Sequence, residues 1–596
     1  MADINNLCQG SLCAFYGNIT PATDTLCDST ANTGLYDLSD WKNEISLAQK
    51  AHIDAFALNM AYGVESNEIS VTNAFKAAES SNFQLFFSFD YAGNGSWPQA
   101  AVTSLLQNFS SSAAYYHHND RPFASTFEGS ENATDWVDIK KVTSCFFVPD
   151  WSSVGAKAAL ELAGGVADGL FSWEAWPSDG RMDTFADASY MNRLKEANKP
   201  YMMPASPWFY TNMPHYDKNW ASHGDNLWYD RWVEVGFLEP EWVEIISWND
   251  YGESHYIGPL NEKGYGVFTA GKAPYNYARN MPHDGWRLQL PFMIDLYKNG
   301  TAPVTEESLV VWYRLQPRDA CSGGNTTDTA MNVRAAEKTD TWLEDKIFFS
   351  ALLGTNASVK VSMGNSAKSV HWDKEPDDGV GIYHGSFAYD RKHLGEPTIT
   401  ISRGKTDVIT FKGRALTTTC TDKFANYNAW VGSETSKKSI SAVSPDLPLS
   451  KQVCIEGSGS SNFSELCHFS CQYGYCPLDT CYCTAMGAAK DKPKATKDKG
   501  TPRNGDDSYE GLCSFGCYYG FCPKKYCNSP ENNHGHKSAT PTCKGGGSQA
   551  TQSAECTHAN EGMKTHDLYF SLSTWSISLG LYIGLTMWVW QDGLLI

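Results

Sequence analysis

Residues 84–91 read QLFFSFDY, a short run of β-favouring apolar residues that ends in a carboxylate, Asp90. Helix-like stretches such as 38–52, LSDWKNEISLAQKAH, and 153–165, SVGAKAALELAGG, separate this run from others like it. Ser39 or Asp40 is the expected N-cap of the first helix. The other runs are 52–60 HIDAFALNM, 121–129 RPFASTFEG, 142–151 VTSCFFVPDW, 169–176 GLFSWEAW, 201–208 YMMPASPW and 242–250 WVEIISWND.

This alternation of strands and helices predicts an α/β fold, a TIM-like (β/α)8 barrel over residues 1–300, with a further strand expected near 13–18, CAFYGN. Catalytic groups of such barrels lie at the C-terminal ends of the strands. Any one carboxylate there could instead cap the following helix. Recurrence at five strand ends favours a functional site, and the five residues are Asp90, Glu128, Asp150, Glu174 and Asp250.

Beyond residue 300, alternating β runs and Gly, Asp and Asn turns predict an all-β, sandwich-like accessory domain. Two similar cysteine units follow, 466–484 and 512–528, and both read C-x3-C-x4-C-x4-C. Zinc sites usually show C-x2-C pairs, so disulfides are favoured over metal. The predicted segments are an accessory domain at 301–425, a linker at 426–453, cysteine-rich modules at 454–485 and 508–545, a charged linker at 486–507, a linker at 546–566 and a hydrophobic tail at 567–596.

The composition excludes some partners and favours a compartment. A net charge of -20 argues against nucleic acid. Twelve of the 18 cysteines lie between Cys454 and Cys556, which indicates an oxidising environment and a secreted or cell-wall protein. Eight N-x-S/T sequons agree with a secreted glycoprotein. The first residues show no clear signal peptide. The uncharged run 568–590 leaves open a membrane span, a lipid-anchor signal or a soluble end.

The densest acidic motif is 247–255, SWNDYGESH, at the end of the last barrel run. Asp250 and Glu253 are three residues apart, with Trp248, Tyr251 and His255 around them. Glycoside hydrolysis needs one protonated and one ionised carboxyl group. Neighbouring aromatic rings and a second negative charge can separate two such pKa values. A capping turn after the strand is the other interpretation of this spacing.

Several long motifs resemble glycoside hydrolase family 71, the fungal endo-α-1,3-glucanases or mutanases, over roughly residues 35–425. The motifs are 39–63 SDWKNEISLAQKAHIDAFALNMAYG, 86–93 FFSFDYAG, RPFASTFEG, 171–177 FSWEAWP, 202–214 MMPASPWFYTNMP and 243–260 VEIISWNDYGESHYIGPL. The sequence departs from the family pattern before residue 36, where 20–36 TPATDTLCDSTANTGLY intervenes. The cysteine units resemble modules appended to such enzymes, for which glucan binding is the usual inference.

The resemblance implies endo-hydrolysis of α-1,3-glucan by an inverting mechanism, with Asp250 and Glu253 as the catalytic pair. We expect Asp250 to activate water and Glu253 to protonate the leaving oxygen, with the reverse order open. No metal or other cofactor is implied. The expected sugar contacts are Asp90, Glu128 and Glu174, with Asp54 and Asp150 as further candidates; the stacking rings Trp173, Trp176, Trp208, Tyr210 and Trp248; and Tyr251 and His255 in the motif. Tyr229, Asp230 and Arg231 are expected to help close the site.

Two other functions remain open at this point. A non-catalytic cell-wall glucan-binding protein on the same scaffold would use the aromatic cleft and the cysteine modules. A hydrolase of another α-glucan would have the same architecture. Anchoring to a membrane or to the cell wall through the C-terminal tail is a further possibility.

Overall fold

The computed structural model describes residues 2–6 as backbone only, and 32–177, 181–216, 218–321, 343–364, 366–460, 463–503, 505 and 509–529. They form two compact units. The first runs to Pro493, and the second begins at Lys494. Each unit is described by itself below.

A ring of eight parallel strands forms the centre of the first unit. The strands are β1 Ala2–Asn6, β2 Ala55–Ala61, β3 Gln84–Asp90, β4 Arg121–Phe127, β5 Phe146–Asp150, β6 Leu170–Phe171, β7 Tyr201–Ala205 and β8 Trp242–Ile245. The ring closes because Ala2 of β1 pairs with both Phe56 of β2 and Ile245 of β8, and because β3 pairs with β4. This closure confirms the predicted barrel.

Nearly continuous apolar sequence explains why these strands are central. Every residue of β2 is buried, and so is every residue of β3 except Gln84. Strands covered on both faces need such runs rather than strict alternation. The surrounding helices are α1 Leu38–Lys50, α2 Ser66–Ser81, α3 Gln99–Phe109, α4 Asp135–Thr143, α5 Gly155–Glu161, α6 Phe185–Ala197, α7 Leu227–Leu238, α8 Gly266–Ala270, α9 Asp284–Arg287 and α10 Leu290–Asn299.

Two details at the start of the barrel differ from expectation. The strand that pairs with β2 and β8 is Ala2–Asn6, and the expected strand at 13–18 lies outside the described residues. The N-cap of α1 is Asp37 rather than Ser39 or Asp40. Asp37 accepts from the backbone N–H groups of Ser39 and Asp40, while the Asp40 side chain accepts from the Asp37 N–H in a reciprocal capping box.

Two four-stranded antiparallel sheets follow the barrel. Their strands are β9 Ala302–Tyr313, β10 Lys346–Leu353, β11 Ser358–Met363, β12 Ser366–Val370, β13 Gly381–Ala388, β14 Pro397–Arg403, β15 Thr406–Lys412 and β16 Trp430–Ser444. The first sheet has the order β13-β10-β9-β16 and the second β12-β11-β14-β15. Inward residues such as Val311, Phe349 and Ile401 share one core, which confirms the sandwich-like domain.

The segment 426–453, expected as a linker, contains β16, which pairs with β9 from Ala302 to Tyr313. The sandwich therefore extends about 20 residues beyond the expected end at 425. Its Ser- and Lys-rich sequence resembles a linker because much of this long strand is exposed. A disulfide between Cys321 and Cys420 joins two chain segments of this domain.

The cysteine units are disulfide-bonded, as the sequence predicts. The first cysteine unit contains β17 Val453–Gly459, α11 Ser464–Cys471 and β18 Cys481–Gly487, with disulfides Cys454–Cys483, Cys467–Cys481 and Cys471–Cys476. The second contains β19 Thr501–Pro502, α12 Glu510–Tyr518 and β20 Cys527–Asn528, with disulfides Cys513–Cys527 and Cys517–Cys522. These two pairings repeat Cys467–Cys481 and Cys471–Cys476 of the first cysteine unit, position for position.

The predicted tail at 567–596 lies outside the described residues. In the part of the chain that is described, no helix combines the length and the apolar character that crossing a bilayer requires.

Candidate active site

Six carboxyl groups follow the C-terminal ends of the barrel strands. Asp90 and Asp150 end β3 and β5, Glu128 directly follows β4, and Glu174 lies three residues after β6. Asp250 and Glu253 follow β8. Because parallel strands end on the same side of a barrel, these residues share its C-terminal mouth. The sequence therefore located the mouth, and the structure fixes how its members contact one another.

The loop after β8 folds back on itself and places the acidic motif. Ser247 N–H donates to the carbonyl of His255 (3.0 Å), and Ile257 N–H donates to the carbonyl of Ser247 (2.9 Å). Ser254 turns the chain with a φ of 63°, a left-handed value that is uncommon outside glycine. The turn returns His255 to Ser247, whose hydroxyl oxygen lies 2.8 Å from His255 Nδ1. Residues 247–257 thus form a tight loop around Asp250 and Glu253.

Asp250 and Glu253 are in direct contact inside this loop. Glu253 N–H donates to Asp250 Oδ1 (2.8 Å), and Asp250 N–H donates to Ser247 Oγ (3.0 Å). One carboxylate oxygen of each residue and one ring nitrogen of His255 lie within 4.8 Å of one another. This closest approach is shorter than the separation of about 6.5–9.5 Å expected between the carboxyl groups of an inverting pair.

Each oxygen of Glu253 has a cationic or polar partner. Lys218 Nζ lies 2.8 Å from Oε1, and His255 Nε2 lies 2.9 Å from Oε2. His255 Nε2 is 3.9 Å from Asp250 Oδ2. Asp250 is 3% exposed and Glu253 9%, so these contacts act largely without solvent screening.

The pKa values of Asp250 and Glu253 are shifted in opposite directions. Burial and the neighbouring charge of Glu253 raise the pKa of Asp250 above its usual range. Burial would also raise the pKa of Glu253, but the Lys218 charge and the His255 hydrogen bond outweigh burial and hold that pKa at about 2. The resting pair therefore has a carboxyl group that favours its proton beside one that is ionised.

A second acidic cluster lies on the other strands of the mouth. Glu128 accepts hydrogen bonds from the N–H (3.0 Å) and hydroxyl (2.5 Å) of Ser153, and Asp150 accepts from the N–H (3.1 Å) and hydroxyl (2.5 Å) of Ser152. Burial raises the pKa of Glu128 to about 7, and burial with the charge of Glu128 raises that of Asp150. Burial and the charge of Asp187 raise the pKa of Glu174 to about 7. These groups form a polar wall whose carboxyl groups keep their protons to higher pH than exposed carboxyl groups would.

Trp248 supports the 247–257 loop and is too enclosed to serve as a sugar platform. Its Nε1 donates to Glu44 Oε2 of α1 (2.8 Å), and the Arg287 guanidinium lies 5.7 Å from its ring centre. The ring is 1% exposed. It fixes the loop against α1, two residues before Asp250.

Most of the other aromatic residues expected to contact sugar are also buried. Trp176 is 5% exposed, Trp208 2%, and Tyr210 and Tyr251 are fully buried. Trp176 Nε1 donates to the Trp208 carbonyl (2.9 Å), and the Tyr251 hydroxyl donates to the Pro259 carbonyl (2.7 Å). Rings enclosed by protein offer no face to a sugar, so these four belong to the core. Trp173 is only partly buried and keeps the expected role as a proposal.

Asp54 lies away from the mouth, and residues 229–231 lie in the first turns of α7. Asp54 precedes β2, at the opposite end of the barrel, where it pairs with Lys298 (2.5 Å). Tyr229 stacks on His384 of the sandwich (4.4 Å between ring centres). Arg231 is fully buried, and its guanidinium binds Asp187 and Glu234. Asp230 lies 3.9 Å from Arg181. Tyr229 thus contacts the sandwich, and Arg231 forms buried ion pairs with residues of α6 and α7.

Asp250, Glu253 and His255 have donor atoms close enough for a metal ion to bridge. Lys218 already places a positive charge 2.8 Å from Glu253, and that charge would repel a cation. The donor set therefore fits a network that shares protons better than a metal site.

Two residues of the site were not predicted from the sequence. Lys218 lies in the polar stretch MPHYDKNW, which shows no periodicity that would point its side chain at Glu253. Glu44 lies in the amphipathic α1, where a charged residue ordinarily faces solvent. Both act over long sequence separations, and only the folded chain shows their partners.

A (β/α)8 barrel with two carboxyl groups of oppositely shifted pKa at its C-terminal mouth is an arrangement typical of glycoside hydrolases. The sequence profile of glycosyl hydrolase family 71 matches residues 29–444. The chain therefore belongs to this family.

Similar curated proteins agree with this assignment. A mutanase of Penicillium rubens is 36% identical over 344 residues, which cover 56% of this chain and 73% of that protein. The glucan endo-1,3-alpha-glucosidase agn1 of Schizosaccharomyces pombe is 32% identical over 421 residues, 67% of this chain and 92% of that protein. An ascus wall endo-1,3-alpha-glucanase of the same yeast is 28% identical over 314 residues, 49% of this chain and 71% of that protein.

Among solved structures, a GH99 endo-alpha-mannosidase from Bacteroides thetaiotaomicron has a TM-score of 0.35 at 14% identity, covering 44% of this chain and 80% of that one.

Proposed function

We propose that the protein is an endo-acting α-1,3-glucan hydrolase that is secreted or resides in the cell wall. Family membership and the activities named for its relatives support the reaction and the substrate. The observation that carries the proposal is the contact at the barrel mouth between Asp250, whose raised pKa favours the protonated state, and Glu253, whose lowered pKa favours the ionised state. Hydrolysis of a glycosidic bond needs one group in each of these states.

The electrostatics favour Asp250 as the general acid and Glu253 as the general base. An acid must hold its proton until the leaving oxygen needs it, and the pKa of Asp250 is raised. A base must be ionised before water attacks, and the pKa of Glu253 is lowered. This order is the reverse of the one we expected from the sequence.

We further propose that the reaction inverts the anomeric configuration. Both Glu253 oxygens already bind Lys218 or His255, which makes this carboxylate a weak nucleophile. A carboxylate has about four lone-pair sites, so each oxygen retains one for a proton from water. The closest approach of the pair, within 4.8 Å, would have to open on substrate binding to admit that water. Hydrolysis by this mechanism releases a β-anomer from an α-linkage.

The polar wall supports substrate contacts on the other side of the cleft. Asp90, Glu128 and Glu174 lie at or just after the ends of β3, β4 and β6 and carry oxygens suited to sugar hydroxyls. Trp173 is partly exposed beside Phe127 and Phe171, where a sugar ring could stack. We propose these four residues as subsite contacts.

The test is hydrolysis of a panel of insoluble glucans by the purified full-length protein. We expect internal cleavage of α-1,3-glucan, seen as oligosaccharides of several lengths at early times, and no comparable release from α-1,4- or β-1,3-glucan. NMR of the fresh product should show the β-anomer first. A folded protein that sediments with α-1,3-glucan without releasing sugar would instead be a glucan-binding protein. Release from another α-glucan alone would reassign the substrate.

A further inference from the structure

Lys218 reaches the catalytic pair from a hairpin that leaves the barrel after β7. The hairpin strands are Tyr210–Met213 and Lys218–Ala221, and Lys218 pairs with Met213. Tyr210 N–H donates to the backbone carbonyl of Glu253 (3.0 Å). The hairpin also packs closely on the catalytic loop, because a Cβ built on Gly252 would lie 3.0 Å from the methyl carbon of Met213. Backbone and side-chain contacts therefore fix the hairpin over Glu253.

The Lys218 side chain points inward rather than into solvent. The residue is 8% exposed, although a lysine on a hairpin would ordinarily extend into water. Its ammonium lies 2.8 Å from Glu253 Oε1. Burying a charge is unfavourable unless a partner compensates it, so the ion pair explains why the side chain lies there.

Among the groups around Glu253, the Lys218 charge favours the carboxylate most strongly, and His255 adds to it. Asp250 is an acid, and His255 is shared with Ser247. The Tyr277 hydroxyl donates to the Gly252 carbonyl beside the pair. The titratable groups that act on Glu253 are Lys218, Asp250 and His255, and Tyr277 contacts the neighbouring Gly252. Of these residues around Glu253, Lys218 is the one with an ammonium or guanidinium group.

We propose that Lys218 is a positioning residue whose ammonium keeps the Glu253 carboxylate ionised and oriented beside Asp250. The inference rests on the proposed function, in which Glu253 is the general base. No bond to Lys218 forms or breaks, and its proton stays on the ammonium throughout. The lysine acts only through its charge and through the hydrogen bond to Oε1.

The pH dependence of activity distinguishes this role from a structural one. An opposite charge within about 4–6 Å lowers a carboxyl pKa by about 1–3 units. Lys218→Met should therefore move the acidic limb of kcat/KM to higher pH by about 1–3 units. Lys218→Arg keeps the charge and should leave the limb near its wild-type position.

The experiment is a pH profile of kcat/KM on α-1,3-glucan oligosaccharides with the full-length protein. The matched control is Lys298→Met, which removes the ion pair with Asp54 at the far end of the barrel and should not move the limb. An active Lys218→Met protein whose acidic limb coincides with that of the wild type overturns the inference. If the wild type shows no turnover, the proposed function is refuted. The second measurement then tests the role of Lys218.

That second measurement needs no turnover. The melting temperatures of Lys218→Met, Glu253→Gln and the double variant form a double-mutant cycle. Lys218→Met alone leaves the buried Glu253 carboxylate without its ammonium partner, whereas the double variant removes both charges. We expect the double variant to melt above Lys218→Met. Additive losses would show that the two charges are uncoupled and would overturn the inference, even if Lys218→Met is too unstable to assay.

Discussion

Replacing Glu44 by Gln should make the protein more stable at alkaline pH. Glu44 lies in α1, is 2% exposed and accepts a hydrogen bond from Trp248 Nε1 (2.8 Å). Burial raises its pKa from 4.5 to about 7, against the opposing effects of that hydrogen bond and of Arg287. Above pH 4.5 the unfolded chain ionises this group more readily than the folded chain does. Stability is therefore lost as the pH rises from about 4.5 through about 7.

The size of the effect follows from the pKa difference. At about 1.4 kcal/mol for each pH unit, ionisation of Glu44 removes about 3 kcal/mol of stability by pH 8. Glutamine has no proton to lose and retains an acceptor for Trp248. Relative to wild type, Glu44→Gln should therefore gain about 3 kcal/mol between pH 4 and pH 8.

Urea unfolding at pH 4 and pH 8 measures this difference. The matched control is Glu68→Gln, an exposed residue in the first turn of α2, which should change stability by less than about 0.5 kcal/mol at either pH. The reasoning fails if Glu44→Gln and wild type differ by the same amount at both pH values, or if the variant loses stability at pH 8.

Three further predictions test the scaffold. Arg231→Met leaves buried carboxylates without their cation and should destabilise the first unit by about 3–5 kcal/mol in urea melts. The control Arg193→Met changes an exposed residue and should cost less than about 0.5 kcal/mol. Equal losses of stability in the two variants would contradict the buried-charge argument. Replacing Cys321 and Cys420 by Ser opens a disulfide with a sequence separation of 99 residues. This change should cost about 4–5 kcal/mol, and an unchanged melting temperature would count against it. A chain that ends at residue 493 should hydrolyse soluble oligosaccharides at the full-length rate, because the first unit is compact by itself; loss of turnover would show that the second unit is required.

The barrel was predictable because most of its strands are short and apolar, and carboxyl groups recur at or just after several strand ends. The position of the first strand was not, because residues 2–6 lie far from the motifs that identify the other strands. The end of the sandwich was also missed, since an exposed strand such as β16 has the polar composition of a linker. Local sequence therefore identified buried strands better than exposed ones.

At the site, the sequence indicated which residues gather at the barrel mouth but not their charge states. The assignment of acid and base depends on Lys218, which is 35 residues from Glu253 in the chain and 2.8 Å from it in space. Aromatic residues in the motifs could be either sugar platforms or core. Burial placed Trp208, Tyr210 and Trp248 in the core, and no pattern in the sequence distinguishes these two roles.

Comparing glucan with an activated substrate tests the central claim most directly. Asp250→Asn and Glu253→Gln should each lose about 10²-fold or more of wild-type activity on α-1,3-glucan, the usual contribution of an acid or a base. On an α-glucosyl fluoride, whose leaving group needs no proton, Asp250→Asn should recover most of its rate and Glu253→Gln should not. Recovery by Glu253→Gln instead would reverse the two roles, and full activity of either variant on glucan would contradict the catalytic pair.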